Sequence, residues 1–311
     1  MKIAVLLASY NGVKFIEEQL KSLFDQTYKD FAVFISDDGS NDDTLIKEQK
    51  FAEKYQNRLF VYSRSSEKRG AKNNFLDLCK MALDTDADYF MFCDQDDVWI
   101  PDKILLTVSE MQKLEGDNIP VLIHTDLSVV DSKLRTIDKS FVKYRGIDPN
   151  CIMLNRLLVQ NNVTGCTVML NRALLEKGMQ IKDFDKLIMH DWWFALVACL
   201  FGKIRFIDIP TVKYRQYGGN VVGASKVNSI SFIRKRLGNP DFVKKSLKLP
   251  SLQAEALLDT YGNELDPKSL ATITAMAELP NKKKLGRICG VLRHRLYKQG
   301  MVQIIGELLY I

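Results

Sequence analysis

The chain has 311 residues, a net charge of +6 and 46% hydrophobic residues, enough for one large α/β domain with an appendage or for two domains with real cores, and too much for a small stapled scaffold. Its six cysteines (Cys79, Cys93, Cys151, Cys166, Cys199, Cys289) are scattered without CxxC pairs, so neither a zinc site nor a disulfide framework is expected, and the thiols read as reduced in a cytoplasmic protein. Met1 and Lys2 lead straight into the strand-like IAVLLASY, wrongly flanked for a signal peptide, and no run of about 18 apolar residues is present to span a bilayer.

From residue 1 to about 210, short β-like runs alternate with helix-like stretches: KIAVLLASY, FIEEQLKSLFDQ, FAVFISDD, TLIKEQKFAEKY, LFVYSRS, NNFLDLCKMAL and YFMFCD. This rhythm predicts right-handed crossover units on a mostly parallel sheet. Asn11-Gly12 and Asp37-Asp38-Gly39-Ser40 end the first two strands, and Ser40-Asn41-Asp42-Asp43 offers N-caps for the next helix. A helix at ILLTVSEMQKL, a strand at VLIHTDLSVVD, a polar excursion over 132–150, the apolar VTGCTVMLN, a helix at MHDWWFALVACLF ending at Gly202 and a strand at KIRFIDIP complete the α/β part. Basic, helix-prone segments follow, so an α/β domain over 1–225 and a basic helical region over 226–311 are expected. Residues 1–202 hold 25 Lys+Arg against 30 Asp+Glu, and residues 203–311 hold 19 against 8. The basic tail points to an anionic partner, nucleic acid or an acidic membrane face.

Three carboxylates, Asp94, Asp96 and Asp97, follow directly on the apolar run YFMFC. Ligands of open α/β sheets gather at such strand ends, and a hard divalent cation such as Mg²⁺ or Mn²⁺ would offset the repulsion. The run equally suits a loop capping a helix, with Asp at the cap and Pro101 in the first turn. Likewise ASYNG (residues 8–12) and ISDDGSNDDT (35–44) end adjacent strands in polar turns, which either form a crevice for a nucleotide or serve as turns alone. No GxGxxG and no GxxxxGK[ST] occurs, which argues against a dinucleotide fingerprint and a P-loop.

In order, SYNG, DDGSNDDT, RGAKNNF, DQDD, HDWW and YRQYGGNVVG resemble the motifs of the family 2 glycosyltransferases with the GT-A fold, over roughly residues 1 to 225. FCDQDDVW with HDWW is most similar to the bacterial rhamnosyltransferase branch that builds cell-wall or capsular polysaccharide. The resemblance implies a Rossmann-like mixed sheet and an inverting, metal-dependent hexosyltransferase. Its donor would be dTDP-rhamnose, or alternatively a UDP-sugar, and its acceptor a lipid-linked or nascent polysaccharide.

Residue by residue, the resemblance implies that Ala8, Tyr10, Asp37 and Asp38 line the base and ribose pocket. Arg69 and Lys72 would face the phosphates, Asn74 would support the nucleotide pocket, and Asp94, Gln95, Arg215 and Gln216 would meet the donor. The DxD element maps to Asp94 and Asp96, with Asp96 as the direct ligand of Mg²⁺ or Mn²⁺. Asp97 stays open between an outer carboxylate, a contact to sugar hydroxyls and the cap of the helix after Trp99. Asp191 corresponds to the base that deprotonates the acceptor hydroxyl. His190 replaces the usual acidic neighbour and could tune Asp191, contact phosphate or cap the helix; with Trp192 and Trp193 it is an acceptor-side candidate, one tryptophan expected as a wall and one as core. Tyr217 stands where relatives commonly carry His, a departure that puts metal affinity in doubt. Gly218, Gly219 and Gly223 suggest a loop that closes over the donor, or an ordinary turn.

The tail segments SISFIRKRLG, DFVKKSLKL and KKKLGRICGVLRHRLYKQG have amphipathic spacing, with Leu285, Ile288, Leu292 and Leu296 among Arg287, Arg293, Arg295 and Lys298. They suit either peripheral attachment to the inner face of a cell membrane or a helical subdomain with a solvated basic face. Competing readings are a nucleotidyltransferase and a degenerate protein that binds glycan or nucleotide-sugar without catalysis. Nucleic-acid binding by the tail is disfavoured by its few aromatics, and a homo-oligomer is left open.

Overall fold

The structure is a computed structural model describing residues 2–217, 240–300 and 303–304. The chain separates into two compact units, the first from residues up to 141, 164–179 and 202–223, the second from 142–163, 180–201 and residues from 224 onward. The expected boundary at 225/226, the glycines 218, 219 and 223 and the segment SISFIRKRLG lie outside the described residues, as do the side chains of 240–247 within DFVKKSLKL.

The strands are β1 (Ile3–Ser9), β2 (Phe31–Asp37), β3 (Leu59–Ser63), β4 (Tyr89–Asp94), β5 (Val98–Trp99), β6 (Val121–Asp131), β7 (Thr136–Asp138), β8 (Met169–Asn171) and β9 (Lys203–Gln216). The helices are α1 (Ile16–Phe24), α2 (Thr44–Lys54), α3 (Ala71–Leu83), α4 (Lys103–Leu114), α5 (Phe141–Arg145), α6 (Leu154–Leu157), α7 (Arg172–Gly178), α8 (His190–Phe201), α9 (Pro240–Tyr261), α10 (Pro267–Glu278) and α11 (Lys284–His294).

Among the described residues nine strands, all in the first unit, form one sheet, ordered β3-β2-β1-β4-β8-β6-β9-β5, with β7 beside β6. The pairs β3–β2, β2–β1 and β1–β4 are parallel, as the alternation of strand and helix predicts. β8 runs antiparallel to both β4 and β6, which makes the sheet mixed. Ile3–Leu7 and Tyr89–Cys93 are exposed by 1% or less, which is why these strands read as continuous apolar runs rather than alternating ones. The chain steps outward from β1 to β2 to β3 and then returns through α3 to β4 on the other side of β1. The gap between the C-terminal ends of β1 and β4 is therefore the topological switch point, where open α/β sheets hold ligands.

Two expectations about helix ends are refined. Asp42, not Asp43, serves the start of α2: its Oδ1 accepts the Thr44 N–H at 3.0 Å, while Asp43 makes no side-chain cap. Gly202 is required by contact, because a Cβ there would lie 1.8 Å from the Pro120 carbonyl oxygen.

The second unit is helical. Trp193 of α8 is fully buried and lies 6.0 Å, ring to ring, from Tyr261 at the end of α9, and Phe201 meets the same tyrosine edge-on at 5.0 Å. Asp266 caps α10 by accepting the Lys268 and Ser269 N–H groups. Gln299 ties the end of the described chain back to earlier residues, accepting the Asp148 N–H at 2.6 Å and donating to Asn162 at 2.7 Å.

Candidate active site

Tyr10 follows directly on β1, and its main chain is held by Gln95, just past β4. The Gln95 amide accepts the Tyr10 N–H at 2.8 Å and donates to the Tyr10 carbonyl at 3.0 Å. The Tyr10 side chain stays 47% exposed. A Cβ on Gly12 would lie 2.4 Å from Gln95 Oε1, so glycine gives this clasp its room. Asn11 adopts a left-handed conformation, φ 49°, and bonds across to the second turn: its N–H reaches Ser40 Oγ at 2.8 Å and its Oδ1 accepts the Asn41 N–H at 2.9 Å.

The paired acids of that second turn do different work. Asp37 is fully buried; it accepts the Gly39 and Ser40 N–H groups at 3.1 and 2.8 Å and the Ser40 hydroxyl at 2.5 Å, so it shapes the loop. Asp38 receives Arg64 at 2.5 Å on one oxygen and the Gly70 N–H at 2.6 Å on the other. Arg64 also binds Asp77 at 2.8 Å and the Lys68 carbonyl at 2.6 Å, and its side chain is only 6% exposed. Sequence reasoning missed Arg64, although a basic residue directly after β3, beside the strand that ends in DDGS, is a readable signal. Arg69 lies against this turn, since a Cβ on Gly39 would stand 3.0 Å from its guanidinium. Asn74 is buried under the crevice, its amide donating to the Ser36 carbonyl at 2.8 Å, and Lys72 is half-buried at the start of α3.

At the tip of β4 a group of possible ligand atoms forms around Asp97, beside the expected Asp94–Asp96 pair. Oxygens of Asp94 and Asp97 and the sulfur of Cys166 all lie within 4.8 Å of one another, whereas Asp96 accepts a hydrogen bond from the Tyr217 hydroxyl. Asp97 does not cap a helix, because α4 starts at Lys103 with Asp102 at its N-cap position. Asp97 is fully buried; Oδ1 accepts the Arg215 N–H at 3.0 Å, Oδ2 makes no conventional hydrogen bond, and the Cys166 thiol, a weak donor, lies beside the carboxyl. Burial first, then the neighbouring Asp96 and Asp94, holds its carboxyl well above the usual range. Burial likewise keeps the Cys166 thiol protonated. A buried carboxylate with open lone pairs beside a second carboxylate fits a hard divalent cation, with a neutral thiol as bystander.

Arg215, which the resemblance brings to the donor, has its guanidinium bonded to protein groups. It is 1% exposed, and its guanidinium donates to the Asp96 carbonyl at 2.7 Å, the Ser132 carbonyl at 2.8 Å and Glu18 at 2.5 Å. The Phe15 ring lies 4.2 Å away. This arginine braces the acidic loop against α1 and β6. Gln216 is half-buried beside it, donating to the Arg215 carbonyl at 3.1 Å. Beneath the loop, Lys103 is fully buried, within 3.4 Å of the Thr211 hydroxyl and 4.7 Å above the Trp99 ring, and burial pushes its pKa down to about 8.

The second unit carries the HDWW residues at the start of α8. Asp191 is mostly buried, and its Oδ1 accepts the Trp192 N–H at 2.6 Å. His190 is 4% exposed and burial drops its pKa to about 3, so its ring is neutral and offers no charge to a phosphate. Trp192 is half-buried with its indole N–H on the Leu157 carbonyl at 2.5 Å. Trp193 is core, closed off from any acceptor.

Comparison with known proteins identifies the family. Residues 4–177 match the family model of Glycosyl transferase family 2. A dTDP-rhamnosyl transferase of Shigella flexneri, RfbG, is 30% identical over 243 residues, which is 75% of this chain and 78% of the relative. The amylovoran biosynthesis glycosyltransferase AmsB of Erwinia amylovora is 29% identical over 323 residues, covering 95% of this chain and 98% of the relative. Among solved structures, that of S. aureus TarS residues 1–349 with UDP-GlcNAc superposes with a TM-score of 0.57 at 18% identity, over 94% of this chain and 80% of that one, a likeness of fold. The sheet order, the acidic loop at its switch point and these matches together establish that the chain has the GT-A fold and belongs to glycosyl transferase family 2.

Proposed function

We propose that the protein is an inverting glycosyltransferase that moves L-rhamnose from dTDP-rhamnose onto a lipid-linked or nascent polysaccharide. The observation that carries this reading is the pairing of Asp94 with the incompletely bonded Asp97 at the switch point, next to the Tyr10–Gln95 clasp. Family membership supports sugar transfer. The name of the Shigella relative supports the rhamnose donor, and the Erwinia relative, aligned nearly end to end, supports a polysaccharide as product.

In this reading the exposed Tyr10 ring stacks on the base, and Asp38, locked by Arg64, turns its remaining lone pairs toward base or ribose donors. Asp94 and Asp97 would hold Mg²⁺ or Mn²⁺ through their carboxylate oxygens, and the cation would supply Lewis-acid stabilisation of charge on the departing diphosphate. Asp191 is the base: it takes the proton of the acceptor hydroxyl, whose oxygen bonds to the anomeric carbon as the bond to diphosphate breaks on the opposite face, inverting the configuration. The test is a screen of dTDP- and UDP-sugars for binding, hydrolysis and transfer, with and without Mg²⁺ or Mn²⁺. Turnover of dTDP-rhamnose is expected; no response to any of these donors refutes the reading.

A further inference from the structure

The helix α11, Lys284–His294, presents two large apolar side chains to water: Leu285 is 78% exposed and Leu292 55% exposed. Cys289 between them is exposed and Ile288 half-buried. At about 100° per residue, these four positions fall within one stripe roughly 100° wide. Val291, fully buried, lies outside the stripe, and on the far side a Cβ on Gly290 would stand 3.2 Å from Leu279, which marks the side on which the helix packs. The same spacing puts Lys284 along one border of the stripe and Arg293 along the other. From Lys282 to Lys298 the chain has seven Lys and Arg and no Asp or Glu. Leu296, counted in the stripe on sequence alone, is 1% exposed and lies past the left-handed Arg295, so it belongs to the core.

An apolar stripe with a basic residue on each border, in a segment without Asp or Glu from 282 to 298, is complementary to one kind of surface, acyl chains beneath anionic head groups. We propose that α11 docks this protein on an anionic lipid bilayer, Leu285, Ile288 and Leu292 entering the acyl boundary while Lys283, Lys284, Arg293 and Arg295 meet lipid phosphates. The docking lays the helix in the plane of the interface; no helix among the described residues is long and apolar enough to cross a membrane. The inference stands apart from the catalytic reading, since it requires neither donor nor turnover.

The experiment is co-sedimentation of the full chain with vesicles of phosphatidylcholine alone or mixed in equal parts with phosphatidylglycerol. The chain is expected to partition onto the mixed vesicles, and to lose this when salt is raised beyond the screening range. The double variant L285S/L292S, altered only at exposed positions, is expected to keep the parent's melting temperature and to bind the mixed vesicles at least about tenfold more weakly. The variant K284Q/R293Q is expected to lose the preference for phosphatidylglycerol. Undiminished binding by L285S/L292S overturns the proposal, as does equal binding of the parent to both vesicle types. A change of oligomeric state in L285S/L292S, seen by light scattering without a change in vesicle binding, assigns the face to a second copy of the chain and also overturns it.

Discussion

Replacing Glu48 by Gln is expected to make the stability of the protein less sensitive to alkali. Glu48 sits in the middle of α2 at 0% exposure, and neither carboxyl oxygen makes a conventional hydrogen bond. Burial, reinforced by the Asp37 and Asp42 carboxylates and opposed in part by the Ser9 hydroxyl, pushes its pKa from 4.5 up to about 8. A carboxyl whose folded-state pKa is raised keeps its proton in the native state while the unfolded chain releases it, so stability falls as pH rises from the unfolded value through the folded one. Each pH unit in that window is worth up to about 1.4 kcal/mol, tapering as either pKa is approached, which amounts to about 3 kcal/mol between about pH 5 and about pH 8. Gln has the same size and no charge to lose. Guanidinium unfolding of both proteins at the two pH values reads the effect: the stability difference, variant minus wild type, is expected to grow by about 3 kcal/mol toward alkaline pH. A difference that stays constant over that window refutes the buried, protonated state of Glu48.

Arg64→Leu leaves Asp38 buried without its cation, and a loss of about 3–5 kcal/mol in chemical unfolding is expected. Asp191→Asn is expected to lower transfer by about 10²-fold or more with donor binding retained, by comparison of kcat with calorimetric donor affinity; transfer at the wild-type rate rejects Asp191 as the base. Trp193→Ala, which opens a cavity against Tyr261, is expected to cost about 3–5 kcal/mol in the same unfolding assay. Asp97→Asn is expected to weaken binding of Mn²⁺, followed by its paramagnetic resonance signal, while Asp102→Asn, at the N-cap position of α4, leaves it unchanged.

The fold was legible wherever local chemistry decides it. Continuous apolar runs over Ile3–Leu7 and Tyr89–Cys93, separated by helical periodicity, identify buried parallel strands, and the ordered motifs from SYNG to HDWW identify the family. The amphipathic spacing of α11 was visible too, but not which of its leucines meet water. That was settled by the turn at Arg295, which carries Leu296 into the core. β8 was not legible as an antiparallel partner of β4 and β6, because pairing direction depends on chain segments far apart in sequence.

Identity and spacing marked Asp94, Asp96 and Asp97 as a group, since three carboxylates at a strand end are conspicuous in any chain. Which two face each other was fixed only in three dimensions. Tyr217, 121 residues on, takes the Asp96 carboxylate, and the Arg215 main chain takes one oxygen of Asp97 and leaves the other open. The sequence by itself determined the alternating architecture, the family and the charge asymmetry, all carried by short-range pattern and composition. The tertiary structure decided that Arg215 is a brace, that Arg64 locks Asp38, that Trp193 is core and that Leu285 and Leu292 are surface, because hydrogen-bond partners and burial are properties of neighbours brought together only by folding.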